Sequence, residues 1–403
     1  MGGPVANEPA FRHLKANEPV LFASNSCLIV RRPGMGCGLC RDACPVGVLS
    51  GSQWSIALET DGCVGCGLCA AACPTGALMV EDCTPQPPSK TTDRIVLECR
   101  RVRGADLDPQ AVVVPCLGGL TVPDLIDLVE ATDATIIVAD RGWCGSCSIG
   151  RCDAPWEAVV AEVKSMLAAV DPRLVDDLIV EQKTLSPDHA GPVLTALRPE
   201  RQVGRRNFLL HLVEATQRET LAESRRVMQG RGLVEPRKRQ RILNRLGSLA
   251  ADLDKDMPAE LMPAIKIAEG CELNGLCAAI CPTGALRREE GEDSISLQFD
   301  ADRCITCGEC QRVCPSKALS LWPEGDGTVR RGWAAVMNRR TATCASCGDN
   351  FVAKADERAC PACEKTTNVM REVATLRFGS PASDGRIKEQ PKLDMELTQG
   401  GRR

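Results

Sequence analysis

The amino-acid sequence predicts a chain of small domains: two cysteine-rich α+β domains, a small α/β domain and a helical connector between them, and a cysteine ribbon towards the C-terminus. Three observations carry that expectation. Cysteine occurs 25 times in 403 residues, in tight local groups rather than spread as in a disulfide-stapled secreted protein. One pattern, seen in "CVGCGLCAAACPTGAL" (Cys63 to Leu78), occurs in four versions, two within residues 34–80 and two within 271–321. Between the pairs, short β-branched runs alternate with helical spacing, as in a parallel α/β unit.

The elements follow in order. A first cysteine-rich domain is expected over residues 20–83, with "GMGCGLCRDACPVGVL" and "CVGCGLCAAACPTGAL" separated by a strand-like "WSIALET". Each unit reads as a cysteine-rich loop, a short helix near the third cysteine, and a strand. "CTPQPPSK" (Cys83 to Lys90) is a Pro-rich linker. Over 91–170, "RIVLEC", "AVVVPC" and "ATIIVAD" read as strands, and "VPDLIDLVEAT" as a helix through Leu125, Leu128 and Val129. In the next helix Asp153 suits the cap and Pro155 the first turn, with Trp156, Val159, Val160, Val163 and Leu167 on one face.

Residues 171–262 read as a charged helical connector or docking arm without cysteine, in which "EPRKRQRILNRL" has a solvated basic face. "GRRNFLLHL" (Gly204 to Leu212) resembles a twin-arginine export core, but it is internal and lacks a following apolar run. The second cysteine-rich domain is expected over 263–323, with "SISLQFD" between its units, then the ribbon over 333–378 and a disordered polar tail over 379–403.

A net charge of −4 supplies no global basic field, so neither nucleic acid nor anionic lipid is an expected partner. No run approaches the ~18 apolar residues of a membrane span, and the first thirty residues carry charges and prolines where a signal peptide needs an apolar core. The expectation is a cytoplasmic protein whose reduced thiols hold metals. With no tyrosine and six phenylalanines, cores organised around inorganic clusters would suit the composition.

A run C-x2-C-x2-C-x3-C-P wraps three thiolates round one four-iron cube and sends the fourth cysteine to the partner cube. The two paired regions resemble bacterial dicluster ferredoxin domains, which implies an α+β ferredoxin-like fold. By that resemblance Cys63, Cys66 and Cys69 hold a [4Fe-4S] cluster with Cys44, and Cys304, Cys307 and Cys310 hold one with Cys281. Two sites depart from the pattern. Cys37 and Cys40, with Cys73 crossing over, lack a first cysteine because Gly34 stands there. Cys27, which precedes the motif, is the preferred substitute; Cys83 and a three-cysteine site are the alternatives. Cys271 and Cys277, with Cys314 crossing over, lack a second cysteine because Asn274 stands there. A neutral amide is a poor iron ligand, so the resemblance implies a [3Fe-4S] form or a fourth iron held through water; completion by Cys83 is the remaining option.

The stretch "VVVPCLGGLTVPDLIDLVEATDATIIVADRGWCGSC" resembles the delta iron–sulfur subunit of methyl-viologen-reducing hydrogenases over residues 94–170. That resemblance implies a [2Fe-2S] cluster on Cys99, Cys116, Cys144, Cys147 and Cys152. Free buried thiols and a redox pair at Cys144 and Cys147 are the alternatives. In the ribbon, Cys344, Cys347, Cys360 and Cys363 form two C-x2-C knuckles suited to a closed tetrahedral zinc site, a rubredoxin-like iron being the other option. These assignments leave Cys83 as the single remainder.

His13, His189 and His211 are the only histidines and none adjoins a cysteine motif; no nucleotide-binding glycine loop is present, and no catalytic residue is expected. The sequence therefore reads as wiring: an electron-transfer subunit passing single electrons between a catalytic redox partner and an acceptor. The delta-subunit resemblance implies hydrogenase, formate dehydrogenase or a heterodisulfide-reductase-like complex as partner. An enzyme built on the Asn274 site, and a redox sensor whose arm Arg237 to Arg245 binds nucleic acid, are the alternatives.

Overall fold

The computed structural model describes residues 11–15, 18–32, 34–52, 55–58, 62–88, 92–102, 104–149, 154–186, 232–323, 331–352 and 357–378. Cys152, Asp153, His189, His211, the Gly204 to Leu212 stretch and the 379–403 tail lie outside them. The chain divides into two compact units, Met1–Glu290 with Ser296–Asn338, and Gly291–Ile295 with Arg339–Arg403.

The first cysteine-rich module comprises β1 (Arg12–His13), β2 (Val20–Phe22), α1 (Leu28–Arg31), α2 (Leu39–Asp42), β3 (Leu49–Gly51), β4 (Ile56–Leu58), α3 (Leu68–Ala71) and β5 (Leu78–Val80). Strands β2 and β5 pair antiparallel, as do β3 and β4. Its core is built largely of cysteine and small aliphatics, with Cys27, Cys40, Cys44, Cys69 and Cys73 among Ile29, Val48, Leu49 and Ala77.

The middle domain contributes β6 (Arg94–Cys99), β7 (Val112–Val114), α4 (Val122–Ala131), β8 (Thr135–Asp140), α5 (Glu157–Val170), β9 (Leu178–Gln182) and α6 (Arg237–Asp252). Its sheet is wholly parallel in the order β7-β6-β8-β9. Helix α4 starts on a reciprocal cap, Thr121 accepting from the Asp124 N–H while the Asp124 carboxylate accepts from the Thr121 N–H. Helix α5 starts at Glu157 with Trp156 at its cap position, and buries Val160, Val163 and Leu167 as its spacing predicts.

Two parts of the expected helical connector differ. Residues 178–182 form the edge strand β9, where the β-branched "LIV" run pairs with β8. Helix α6 forms where helix was expected, but its basic face is paired rather than solvated. Arg241 bridges Asp124 and Asp127, and Arg245 bridges Asp127 (2.9 Å) and Glu130 (2.7 Å), all on or beside α4. The opposite face sets Ile242, Leu246, Leu249 and Ala250 into the same core as the sheet, α4 and α5.

The second module repeats the first with β10 (Ala264–Ile267), α7 (Leu276–Ile280), β11 (Leu286–Glu290), β12 (Ser294–Asp300), α8 (Glu309–Val313) and β13 (Leu319–Trp322); β10 and β13 pair antiparallel. Helices α3, α7 and α8 all begin after a glycine with positive φ, Gly67 (+83°), Gly275 (+79°) and Gly308 (+73°), a turn that only glycine makes without strain. In the second unit the end of β14 (Trp333–Thr343) pairs antiparallel with β15 (Asn350–Val352), followed by α9 (Pro361–Phe378). Among the described residues no helix is long and apolar enough to cross a membrane.

Leu246 is fully buried in the middle-domain core. Leu246→Ala should therefore lower stability by about 2–5 kcal/mol in urea unfolding, whereas an exposed connector helix would lose almost nothing.

Candidate iron–sulfur centres

The local fold gathers distant cysteines into sets of four. Cys44, Cys63, Cys66 and Cys69 line one cavity of about 20 Å³. Cys27, Cys37, Cys40 and Cys73 line a second of about 20 Å³, and Cys281, Cys304, Cys307 and Cys310 a third of about 20 Å³. Three small cavities of like size, each lined by four cysteines and otherwise mostly apolar side chains, suit a four-iron cube. Cys27 stands at the N-terminal cap position of α1, whose Leu28, Ile29 and Val30 are buried. Cys83 lies elsewhere, against the second loop, where its thiol donates to the Gly65 carbonyl (3.5 Å).

The charge state of these sulfurs depends on what faces them. Burial, reinforced by neighbouring sulfurs, pushes Cys40 up to about 12, and burial pushes Cys27 and Cys66 up to about 11. In the second module burial pushes Cys304 up to about 11 and Cys310 to about 12. Against this, main-chain N–H groups are aimed at sulfur. The Ala77 N–H donates to Cys73 Sγ at 3.2 Å, and the repeat places the Ala285 N–H on Cys281 Sγ at the same distance. Oriented donors with insufficient charge to hold four thiolates leave a deficit that iron would make up, so the donor set fits the clusters.

The fourth set is smaller. Cys277 lies within electrostatic reach of Cys271 and Cys314. Asn274 is exposed and its side-chain oxygen accepts from the Leu276 N–H (3.1 Å), so the amide ties its own loop. Burial opposes ionisation of Cys314, but the Ser316 hydroxyl and the N–H groups of Ala318 and Leu319 carry it below the usual thiol range.

In the middle domain Cys99 ends β6, Cys116 follows β7, and Cys144 and Cys147 follow β8, all at the carboxyl ends of parallel strands where the sheet order reverses. The four interact electrostatically with one another, and burial pushes Cys99 and Cys144 up to about 12 and Cys116 to about 11. Arg101 is 5% exposed, its charge reaches Cys99, and its Nε and one terminal nitrogen have no hydrogen-bond partner in the fold. A buried guanidinium with spare N–H groups beside Cys99 fits an anionic cluster. Cys116 also lies within reach of Cys66, because the two domains meet backbone to backbone. A Cβ on Gly119 would stand 2.2 Å from the Cys66 carbonyl and 3.0 Å from Gly67 Cα.

In the second unit the sulfurs of Cys344, Cys347, Cys360 and Cys363 lie within 4.8 Å of one another. The Cys360 N–H donates to Cys344 Sγ (3.2 Å), and with further N–H donors it lowers Cys344 to about 6. Sequence reasoning missed Arg101, Lys238 and Arg239 at these sites: Arg101 is close to Cys99 in sequence but its burial is not legible there, and the cysteines that Lys238 and Arg239 face are distant in sequence.

Two segments, residues 34–77 and 269–318, match the family model for the 4Fe-4S dicluster domain. The chain is 35% identical over 60 residues to one component of the Na(+)-translocating ferredoxin:NAD(+) oxidoreductase complex of Acetobacterium woodii, covering 15% of this chain and 17% of that one. It is 36% identical over 61 residues to the polyferredoxin protein MvhB of Methanothermobacter marburgensis, 14% of each chain. It is 42% identical over 43 residues to a 7Fe ferredoxin of Hydrogenibacillus schlegelii, covering 11% of this chain and half of that one. The chain thus spans half or less of the length of these relatives, and the likeness supports [4Fe-4S] binding and electron transfer.

Cys27→Ser should remove the equivalent of ~four irons per chain, one cube, while Cys83→Ser should leave the iron content unchanged, both read by elemental analysis of anaerobically purified protein.

Proposed function

We propose that the chain is a multicluster electron conduit, a subunit that carries single electrons between a catalytic redox partner and an acceptor. The observation that carries this reading is contiguity. The middle-domain thiols adjoin the second loop of the first module, whose Cys44 and Cys73 cross between its two sites. Iron–sulfur clusters, when bound, supply one-electron redox capacity at each station. The chain's own residues hold the stations at fixed spacing, exclude water with small apolar side chains, and aim N–H donors and cations at the sulfurs.

In this reading the first module and the Cys281 site hold [4Fe-4S] clusters, Cys99, Cys116, Cys144 and Cys147 hold a [2Fe-2S] cluster, and the ribbon holds zinc in a closed, structural site. The three-sulfur set beside Asn274 suits a three-iron cluster, and a relative named for seven irons supports a site of that kind. Exchange with partners suits the second module, where Cys307 is exposed. Hydrogenase, formate dehydrogenase or a heterodisulfide-reductase-like complex are the partner classes proposed. The nucleic-acid reading loses support, because Arg241 and Arg245 are committed to carboxylates within the chain.

Anaerobically purified protein should contain about 17 to 18 irons and about one zinc per chain. About 8 irons would leave only the complete motifs filled and end the conduit reading. Asn274→Cys should add about one iron and convert a three-iron EPR signal in the oxidised protein to a four-iron signal in the reduced one. Cys347→Ser should remove the zinc while leaving the iron content and dithionite reduction unchanged.

A further inference from the structure

A conduit through both modules needs a crossing between them, and residues 234–239, where the chain enters α6, are hydrogen-bonded to each. Towards the first module the Lys238 N–H donates to the Thr75 carbonyl (3.3 Å) and its ammonium to the Ala71 carbonyl (2.9 Å). The Thr75 hydroxyl is in turn 3.6 Å from Cys73 Sγ. Gly76 permits this approach, since a Cβ there would stand 3.1 Å from the Lys238 nitrogen. Towards the second module Arg239 Nε donates to the Ala301 carbonyl (3.1 Å), which also accepts from the Cys304 N–H (3.3 Å).

One covalent step, Lys238 to Arg239, therefore joins the surroundings of Cys73 to those of Cys304. A second bridge runs alongside. The Glu235 N–H donates to the Asn25 carbonyl (3.4 Å), two residues before Cys27, and the Val234 N–H to the Pro282 carbonyl (2.7 Å), one residue after Cys281. Both cations are half-buried, Lys238 within electrostatic reach of Cys73 and Arg239 of Cys304. A cation beside a cluster favours its reduced form, which carries one more negative charge.

We propose that Val234–Arg239 is the electron crossing between the two modules, with Lys238 raising the potential of the Cys73 site and Arg239 that of the Cys304 site. This rests on the four-iron reading of both sites. The step moves one electron from a reduced site in one module to an oxidised site in the other; no bond forms or breaks, and no proton is required.

The test is an EPR-monitored redox titration of the full, anaerobically loaded chain, with iron measured for every sample and the two signals assigned through Cys73→Ser and Cys304→Ala. Lys238→Gln should lower the potential of the Cys73 site alone, and Arg239→Gln that of the Cys304 site alone. The charge-retaining Lys238→Arg and Arg239→Lys should stay close to the parent. Neutral variants that keep the parent iron content and both parent potentials overturn the proposal, as do charge-retaining variants that shift as far as the neutral ones. Each substitution reports on its own site, so a loading failure in one leaves the other to decide. Closeness is read separately: the Cys73-site signal should lose breadth in reduced Cys304→Ala, and an identical signal overturns the crossing. A parent protein without iron at these sites defeats the conduit reading instead.

Discussion

The constraint on which the first unit depends is the cost of gathering buried thiolates. Four sulfurs in one apolar cavity repel one another and resist ionisation, as the upward shifts at Cys27, Cys40 and Cys66 express. The fold answers with main-chain N–H groups turned towards sulfur and with cations placed just outside the cavities. The short helices α2, α3, α7 and α8 and the glycine turns before three of them follow from that need. A longer helix or a non-glycine turn would carry the N–H groups away from the sulfurs.

The same constraint explains how the larger elements are arranged. Helix α6 has two different faces and a distinct start. Its aliphatic side completes the middle-domain core, its arginines pair with the acidic edge of α4, and its first residues reach both cysteine-rich modules. It is therefore a structural member shared by three domains. Arg32 adds a further tie by donating to the Cys281 carbonyl (3.1 Å).

Local spacing made much of this legible in the sequence. Three of the four sulfurs in a complete motif lie within seven residues, so their convergence needs no knowledge of the fold, and the parallel strands of the middle domain show in their β-branched runs. Legibility fails where a partner is far away in sequence. The basic run of α6 reads as solvated because Asp124, Asp127 and Glu130 lie more than a hundred residues earlier. Strand β9 was hidden because "LIVEQ" adjoins helical, charged sequence, and only pairing with β8 decides its conformation. Asn274 was legible as a gap in a motif, but not as the residue that closes its own turn.

The unequal exposure of the ligand sets has a consequence for durability. Cys66 and Cys69 are buried, whereas Cys307 is exposed, so dioxygen or peroxide meets the second module before it meets the first. A sample handled in air would become a mixture of chains truncated in redox capacity rather than in length, with the first module the last to lose its iron.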